Sequence, residues 1–135
     1  MKIEYTSAPN NEDINFLAQK IDEEIHYKSA SYPFAFFMRD ELGTIIAGCS
    51  GETMYGVIHT DKLWVNPDCR KQGLGRRLME SVHEYGSKIG CHISTVLTMS
   101  FQEAREFYEH LGYECDLDRA GYADNSSCLF LKKTL

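Results

Sequence analysis

Hydrophobic side chains recur at spacings of three and four along three stretches of the chain, and this spacing is typical of one face of an α-helix. The first stretch runs from Asn11 to Lys28 and carries apolar side chains at Ile14, Leu17, Ala18, Ile21 and Ile25. The second runs from Gly73 to Ile89 and is followed by Gly90, and the third runs from Gln102 to Leu111 and is followed by Gly112. A glycine readily ends a helix because it adopts the left-handed conformation at little cost. The pattern predicts three helices with these bounds.

Short runs of apolar and β-branched residues between polar turns predict the strands. The runs are Lys2–Ser7, Phe34–Arg39, Thr44–Cys49, Met54–Val65, His92–Thr98, Tyr113–Leu117 and Cys128–Lys132. The run from Met54 to Val65 is long for one strand, so we expect an interruption near Gly56 or His59. The order of the elements predicts a mixed α/β sheet, with a parallel pair where a helix connects two strands.

The length of 135 residues fits one domain, which we place at residues 1–135. No apolar run approaches the ~20 residues that cross a bilayer, and the first residues lack the apolar core of a signal peptide. The five cysteines are scattered without a C-x-x-C pair, which favours reduced thiols and a cytoplasmic location. The histidines at positions 26, 83, 92 and 110 are scattered without ligand spacing, so we expect no metal. The net charge of −6 argues against nucleic-acid binding.

One basic segment stands out against this acidic background. The stretch VNPDCRKQGLGRRLMES, which begins at Val65, places four cations close to two glycines: Arg70, Lys71, Gly73, Gly75, Arg76 and Arg77. Cations are disfavoured at a helix start, whereas the unpaired backbone N–H groups there attract anions. The segment therefore predicts a phosphate site. The string matches neither the nucleotide P-loop G-x-x-x-x-G-K-[ST] nor the dinucleotide fingerprint G-x-G-x-x-G, so both of those ligand sites are disfavoured.

The string RKQGLG, which follows the strand end LWVNP, has the form [QR]-x-x-G-x-[GA] and resembles the acyl-CoA-binding loop of the GCN5-related N-acetyltransferase (GNAT) family. The stretch EFYEHLGYE resembles a second block of that family, F-Y-x-x-x-G-[FY]. One position departs from the family pattern, because Phe101 stands where many members have an asparagine. The resemblance implies a central, mostly antiparallel sheet flanked by helices. It also implies that this sheet is splayed between the strand that ends at Val65 and the strand from His92 to Thr98.

By this resemblance, the chain is an N-acetyltransferase that uses acetyl-CoA as co-substrate and no metal. It would move the acetyl group directly to an amine of a small molecule or peptide. The loop that would hold the pyrophosphate consists of Arg70, Lys71, Gln72, Gly73, Leu74, Gly75 and Arg76. The pantetheine arm would pair with the backbone at Trp64 and Val65, and the Val65 N–H would face the oxyanion.

The resemblance also suggests the residues that move protons. Tyr108 matches a family tyrosine that protonates the leaving thiolate, although its spacing also fits simple packing on Leu111 and Phe107. The candidates for the base are His59, Asp61 and Glu52, with ordered water as an alternative. Strand alternation would place His59 and Asp61 on one face with Val65. Histidine titrates near neutral pH, which suits a base.

The expected partners are acetyl-CoA and an amine acceptor, with no nucleic acid and no membrane, and a homodimer is left open. By resemblance, the acceptor would lie between the segments Glu23–Phe34 and Arg119–Ser127. Two other functions compete with this one. A non-catalytic acyl-CoA-binding regulatory module would keep the loop without needing Tyr108 or a base. A nucleotide-phosphate binder or hydrolase is disfavoured by the missing motifs.

Overall fold

The computed structural model describes residues 1–25 and 31–135, and the chain divides into two compact units, Met1–Ala30 and Ser31–Leu135. In the first unit, α1 (Asn11–Glu24) begins where the Asn10 side chain accepts a hydrogen bond from the Glu12 N–H. This confirms the first predicted helix. Its predicted last part, residues 26–28, lies outside the described residues, as does part of the predicted acceptor wall 23–34. The strand predicted at Lys2–Ser7 is wrong, because this segment does not have strand conformation in the structure.

The second unit contains a six-stranded sheet in the order β1-β2-β3-β4-β6-β5. The strands are β1 (Tyr32–Arg39), β2 (Ile45–Met54), β3 (Val57–Val65), β4 (Ile93–Met99), β5 (Glu114–Tyr122) and β6 (Ser126–Thr134). All neighbouring strands are antiparallel except β3 and β4, which are parallel and are connected through α2 (Leu74–Lys88). A short helix, α3 (Arg105–His110), lies between β4 and β5. The predicted mixed sheet with one parallel pair is confirmed.

Two predicted elements are divided in the structure. The run from Met54 to Val65 contains the end of β2 and all of β3, because Tyr55 and Gly56 adopt positive φ angles of 51° and 79° and reverse the chain. The interruption expected near Gly56 is therefore a hairpin turn. The helix predicted over 102–111 is interrupted at Glu103, whose φ is 55°, so a 3-10 turn precedes α3.

The parallel strands β3 and β4 are paired over only part of their length. Their register begins at Val57 opposite Ile93 and ends at Thr60 opposite Val96, although β3 continues to Val65 and β4 to Met99. The two strands therefore separate into a split toward their carboxyl ends, which confirms the predicted splay. The split leaves one edge of residues 61–65 without a strand partner.

The core lies on one face of the sheet, which we call the helix face because α2 packs there against β1, β2, β3 and β4. The buried side chains of this core include Ala47, Cys49, Ile58, Leu78, Met79, Val82, Val96, Tyr108 and Leu131. Gly86 allows α2 to approach the sheet closely, since a Cβ there would lie 2.8 Å from the Ile58 Cγ2 atom. Gly86 lies near the carboxyl end of α2 and Ile58 near the start of β3, so this contact holds that end of the helix against the paired part of β3 and β4.

Candidate active site

A groove of about 440 Å³ opens beside the carboxyl end of β3 and the start of α2. Eight of the predicted cofactor residues line it: Trp64, Val65, Arg70, Lys71, Gly73, Leu74, Gly75 and Arg76. Gln72 and Tyr108 are not among the lining residues. Leu63 and Phe107 do line the groove and were not predicted. Leu63 lies two residues before Val65 and so shares its face of the strand, and Phe107 belongs to the F-Y pair of the second block. The sequence could therefore have identified both as residues that line the groove.

The loop before α2 exposes backbone N–H groups to the groove. Lys71 and Gly73 have positive φ angles of 62° and 78°. The first helical hydrogen bond runs from the Arg77 N–H to the Gly73 carbonyl oxygen at 3.0 Å, and no side chain caps the helix at Gly73. The N–H groups of the first turn therefore have no acceptor within the helix. No acidic residue lies in this turn, so the helix dipole and the nearby cations both favour an anion.

Two of the predicted arginines already have partners. The Arg70 Nε donates a hydrogen bond to the Val65 carbonyl oxygen at 3.0 Å, which fixes the loop to the end of β3. The Arg76 Nε donates to the Glu80 Oε1 at 2.9 Å, one turn further along α2. A guanidinium group has five N–H donors, so each arginine keeps others for an anionic ligand.

The backbone of β3 alternates at the split. The Asn66 N–H donates to the Ile46 carbonyl oxygen at 2.8 Å, and Val65 lies opposite Ala47. Because hydrogen-bonded and non-hydrogen-bonded pairs alternate in an antiparallel ladder, the N–H of Val65 points away from β2 and toward the split. The N–H of Trp64 points toward β2 by the same rule. Val65 and Leu63 therefore offer backbone donors at this edge, and Trp64 contributes its side chain.

Tyr108 projects from α3 into the core and is only 8% exposed. Its ring packs edge-on against Phe107 and Tyr113, with centroid distances of 5.1 and 5.4 Å. Burial raises the pKa of the Tyr108 hydroxyl to about 12, and the nearby Cys49 thiol contributes further. Within residues 1–25 and 31–135 this hydroxyl has no hydrogen-bond partner. It is therefore a protonated donor without an acceptor among the described residues.

A β-bulge at Asp61 corrects one expectation from the sequence. The register pairs Ser50 with Lys62 but Gly51 with Thr60, so Asp61 is an extra residue on β3. The extra residue shifts the alternation, and His59 and Val65 therefore lie on opposite faces of the sheet. The expectation that His59 shares a face with Val65 is wrong. Gly51 permits the bulge, because a Cβ there would collide with the His59 carbonyl oxygen.

The bulge gathers polar side chains on the face opposite the helix face. His59 Nδ1 and Thr95 Oγ1 share a hydrogen bond of 2.8 Å, and His59 Nε2 lies 3.7 Å from Asp61 Oδ1. Glu52 is opposite His59 in the antiparallel register, and its Oε2 accepts a hydrogen bond from Ser31 Oγ at 2.7 Å. We call His59, Asp61, Glu52 and Thr95 the histidine cluster. It contains all three of the predicted candidates for the base.

Among the described residues, no group of three or more histidine, cysteine or acidic side chains is placed to hold a metal ion. None of the helices there has the length and apolar character needed to cross a membrane.

Comparison with known proteins identifies the family. The family described as "Acetyltransferase (GNAT) domain" matches residues 33–115. A blasticidin-S acetyltransferase from Streptomyces morookaense is 31% identical over 103 residues, which are 76% of this chain and 75% of that protein. A Bacillus cereus acetyltransferase has a TM-score of 0.79 at 23% identity, with 98% of each chain covered. A Bacillus anthracis protein in complex with acetyl coenzyme A has a TM-score of 0.69 at 14% identity, with 84% of this chain and 67% of that one covered.

The chain belongs to the GNAT family of acetyltransferases. It is an enzyme of that class, an acetyl-CoA-dependent N-acetyltransferase.

Proposed function

We propose that residues 1–135 act as one catalytic domain that transfers the acetyl group directly from acetyl-CoA to an amine of a small molecule or peptide. The observation that carries this proposal is the split between β3 and β4, which continues into the groove at the start of α2. In this proposal the groove joins the anion site at the start of α2 to the unpaired edge of β3, and the acetyl group reaches the histidine cluster through the split.

The cofactor would bind along this path. Its pyrophosphate would accept hydrogen bonds from the unpaired N–H groups at the start of α2, with the cations of the loop from Arg70 to Arg76 around it. Its pantetheine amides would pair with the free edge of β3 at Leu63 and Val65. Gly75 allows the Phe107 ring to pack closely against the start of α2 at the wall of this groove, because a Cβ there would lie 3.3 Å from the Phe107 Cζ atom.

The chemistry requires a neutral amine, an oxyanion donor and a proton for the thiolate. In this proposal His59 removes the proton from the amine, with Asp61 beside it, and the Val65 N–H stabilises the oxyanion. Tyr108 then protonates the thiolate. Since His59 and Tyr108 lie on opposite faces of the sheet, the amine would attack from one face and the thiol would leave toward the other.

The acceptor would approach as a cation. Glu52 and Asp61 place two carboxylates beside His59, and these attract an ammonium group before it is deprotonated. The similarity to a blasticidin-S acetyltransferase makes amine-bearing small molecules the first class to screen. The assay supplies acetyl-CoA and reads released thiol. Tight acetyl-CoA binding without turnover on any small-molecule or peptide amine would support the non-catalytic binding module instead.

We also infer a cytoplasmic location, because all five cysteines are free and reduced thiols are typical of that compartment.

The cofactor site is tested by Gly73→Glu. We expect this substitution to abolish the rise in melting temperature on addition of acetyl-CoA, because a carboxylate at the helix start repels the pyrophosphate. Gly90→Glu is the matched control, since both glycines have positive φ and open space around the missing Cβ. Gly90 lies at the other end of α2, so this variant should lose stability but keep the full rise. A full rise in folded Gly73→Glu would refute the site.

A further inference from the structure

Thr95 lies beside His59 at the point where the sheet divides. The two residues are opposite each other in the parallel register of β3 and β4, one pair before that register ends at Thr60 and Val96. The distance of 2.8 Å between Nδ1 and Oγ1 is that of a well-formed hydrogen bond. Thr95 therefore fixes the orientation of the imidazole ring next to the split.

The same hydrogen bond bears on the position of the ring proton. A neutral imidazole has one N–H, so a proton held on Nδ1 leaves a lone pair on Nε2. Nε2 is the nitrogen that lies 3.7 Å from Asp61 Oδ1, which is too long for a hydrogen bond in the resting state. A proton taken up at Nε2 would then point toward a carboxylate.

We propose that Thr95 is a positioning residue: its Oγ1 accepts the hydrogen of Nδ1 and so makes Nε2 of His59 the atom that receives the proton of the amine. This inference rests on the proposed role of His59 as the base. In this step the lone pair of the neutral amine forms a C–N bond to the thioester carbonyl carbon, the carbonyl π electrons move to oxygen, and one N–H proton of the attacking nitrogen passes to Nε2. Collapse of the oxyanion then breaks the C–S bond, and the thiolate that leaves takes its proton from Tyr108, which regains one from water. The imidazolium formed is stabilised by Asp61 and later releases its proton to water.

Carboxylates and lysines both lie around the ring. Glu52 lies opposite His59 from β2, and Asp61 flanks it on β3. Lys132 on β6 lies opposite Thr95, and Lys62 lies opposite Ser50, on the same face of β3 as His59. The Asp61 carboxylate is the charged group beside Nε2, at 3.7 Å.

The experiment compares Thr95→Val, which removes only the hydroxyl, with Thr95→Ser, which keeps it. We expect Thr95→Val to lower kcat by about 10- to 100-fold, the range for losing a group that only orients a functional histidine, while KM for the amine and acetyl-CoA affinity stay near wild type. Thr95→Ser should restore most of kcat. Thr53→Val is the matched control, since Thr53 is a buried threonine on the helix face, and its kcat should not change.

A second readout does not depend on turnover. The ¹⁵N chemical shifts of the His59 ring in the free wild-type protein identify the protonated nitrogen, and we expect it to be Nδ1. Thr95→Val should shift this equilibrium toward the Nε2 proton. A wild-type kcat in folded Thr95→Val, or a proton on Nε2 in the wild type, would overturn the proposal.

The two readouts separate this proposal from the one on which it rests. If His59→Gln keeps wild-type turnover, the role of His59 as the base fails, and the positioning role of Thr95 fails with it. If His59→Gln loses turnover but Thr95→Val does not, only the positioning role fails. If Thr95→Val does not fold, the wild-type ring shifts and Thr95→Ser still decide the question.

Discussion

The hydroxyl of Tyr108 is kept protonated by its place in the core. Burial raises its pKa to about 12, and the aromatic rings of Phe107 and Tyr113 hold it on two sides. A general acid must carry its proton when the thiolate forms, and the raised pKa ensures this at neutral pH, while it also makes the hydroxyl a weaker acid than an exposed tyrosine. The sequence alone left packing as an alternative role for this residue, and the packing contacts are present too.

Tyr108→Phe separates these two roles. We expect kcat to fall by roughly 10²-fold because the proton donor is lost, while acetyl-CoA affinity is unchanged. The free energy of unfolding should change by less than about 1 kcal/mol, because within the described residues the hydroxyl has no partner to lose. Tyr113→Phe is the control: its hydroxyl bonds to His83 and Ser94, so this variant should lose stability and keep kcat. Unchanged turnover in Tyr108→Phe would leave this residue with packing alone.

Thr60 has a buried hydroxyl that lowers the stability of the folded protein. It is 4% exposed, and its Oγ1 is buried without a hydrogen-bond partner among the described residues. Replacing it by valine removes a desolvation cost and keeps the shape, so Thr60→Val should raise the free energy of unfolding by about 1 kcal/mol. Urea denaturation measures the change. A loss of stability instead would mean that the hydroxyl has a partner, such as bound water.

At the scale of elements, the bulge in β3 determines which side chains meet at the split. Without the extra residue Asp61, the alternation would place His59 on the helix face together with Val65. The bulge in turn depends on Gly51, because its missing side chain leaves room for the His59 carbonyl group. The glycine and the histidine cluster are therefore parts of one local arrangement.

Gly51→Ala tests this dependence. We expect the added methyl group to lower the free energy of unfolding by about 3 kcal/mol, since the backbone of β3 must move to accept it. Gly43→Ala is the comparison, because Gly43 has a φ of 84° but open space around its missing Cβ, and its cost should be only about 1 kcal/mol. Thermal and urea denaturation of both variants give the comparison. Equal losses of unfolding free energy in the two variants would show that the backbone around Gly51 moves without further cost to accept the methyl group.

The sequence predicted those elements whose signal is local. The apolar spacing in α2, the stop at Gly90 and the basic glycine loop all depend on nearby residues, and the structure has them in the expected places. The faces of β3 depend instead on its register with β2, which no local pattern contains. The same reason explains the failure at Lys2–Ser7, since a strand exists only if another strand accepts its hydrogen bonds.

At the scale of the whole sheet and its helices, a buried polar chain ties the layers together. The Tyr113 hydroxyl lies 2.7 Å from His83 Nε2 on α2 and 2.7 Å from Ser94 Oγ on β4. This chain joins the helix that holds the predicted pyrophosphate site to the strand that borders the split. Buried networks of this kind are stabilising only while every donor has an acceptor, and a change in the protonation of one member removes that match.

His83 is the member of this chain whose charge depends on pH. Burial lowers its pKa to about 4, with Lys133 acting in the same direction and Glu80 opposing it. In the unfolded chain histidine titrates near ~6.5. Between these pH values the unfolded chain binds a proton that the folded protein does not bind. The free energy of unfolding therefore falls as pH falls from about 6.5 toward 4, and His83 causes no change above that range.

His83→Gln removes the titrating group while an amide can still bond to Tyr113. Between pH 7 and 4 the wild type should therefore lose about 3 kcal/mol more unfolding free energy than this variant does. Urea denaturation at a series of pH values measures the difference, which cancels the contribution of the carboxylates common to both proteins. His92→Gln, at an exposed histidine, should follow the wild-type curve. Parallel curves for wild type and His83→Gln would mean that His83 takes up its proton in the folded protein, and the chain to Tyr113 and Ser94 would then tolerate a buried charge.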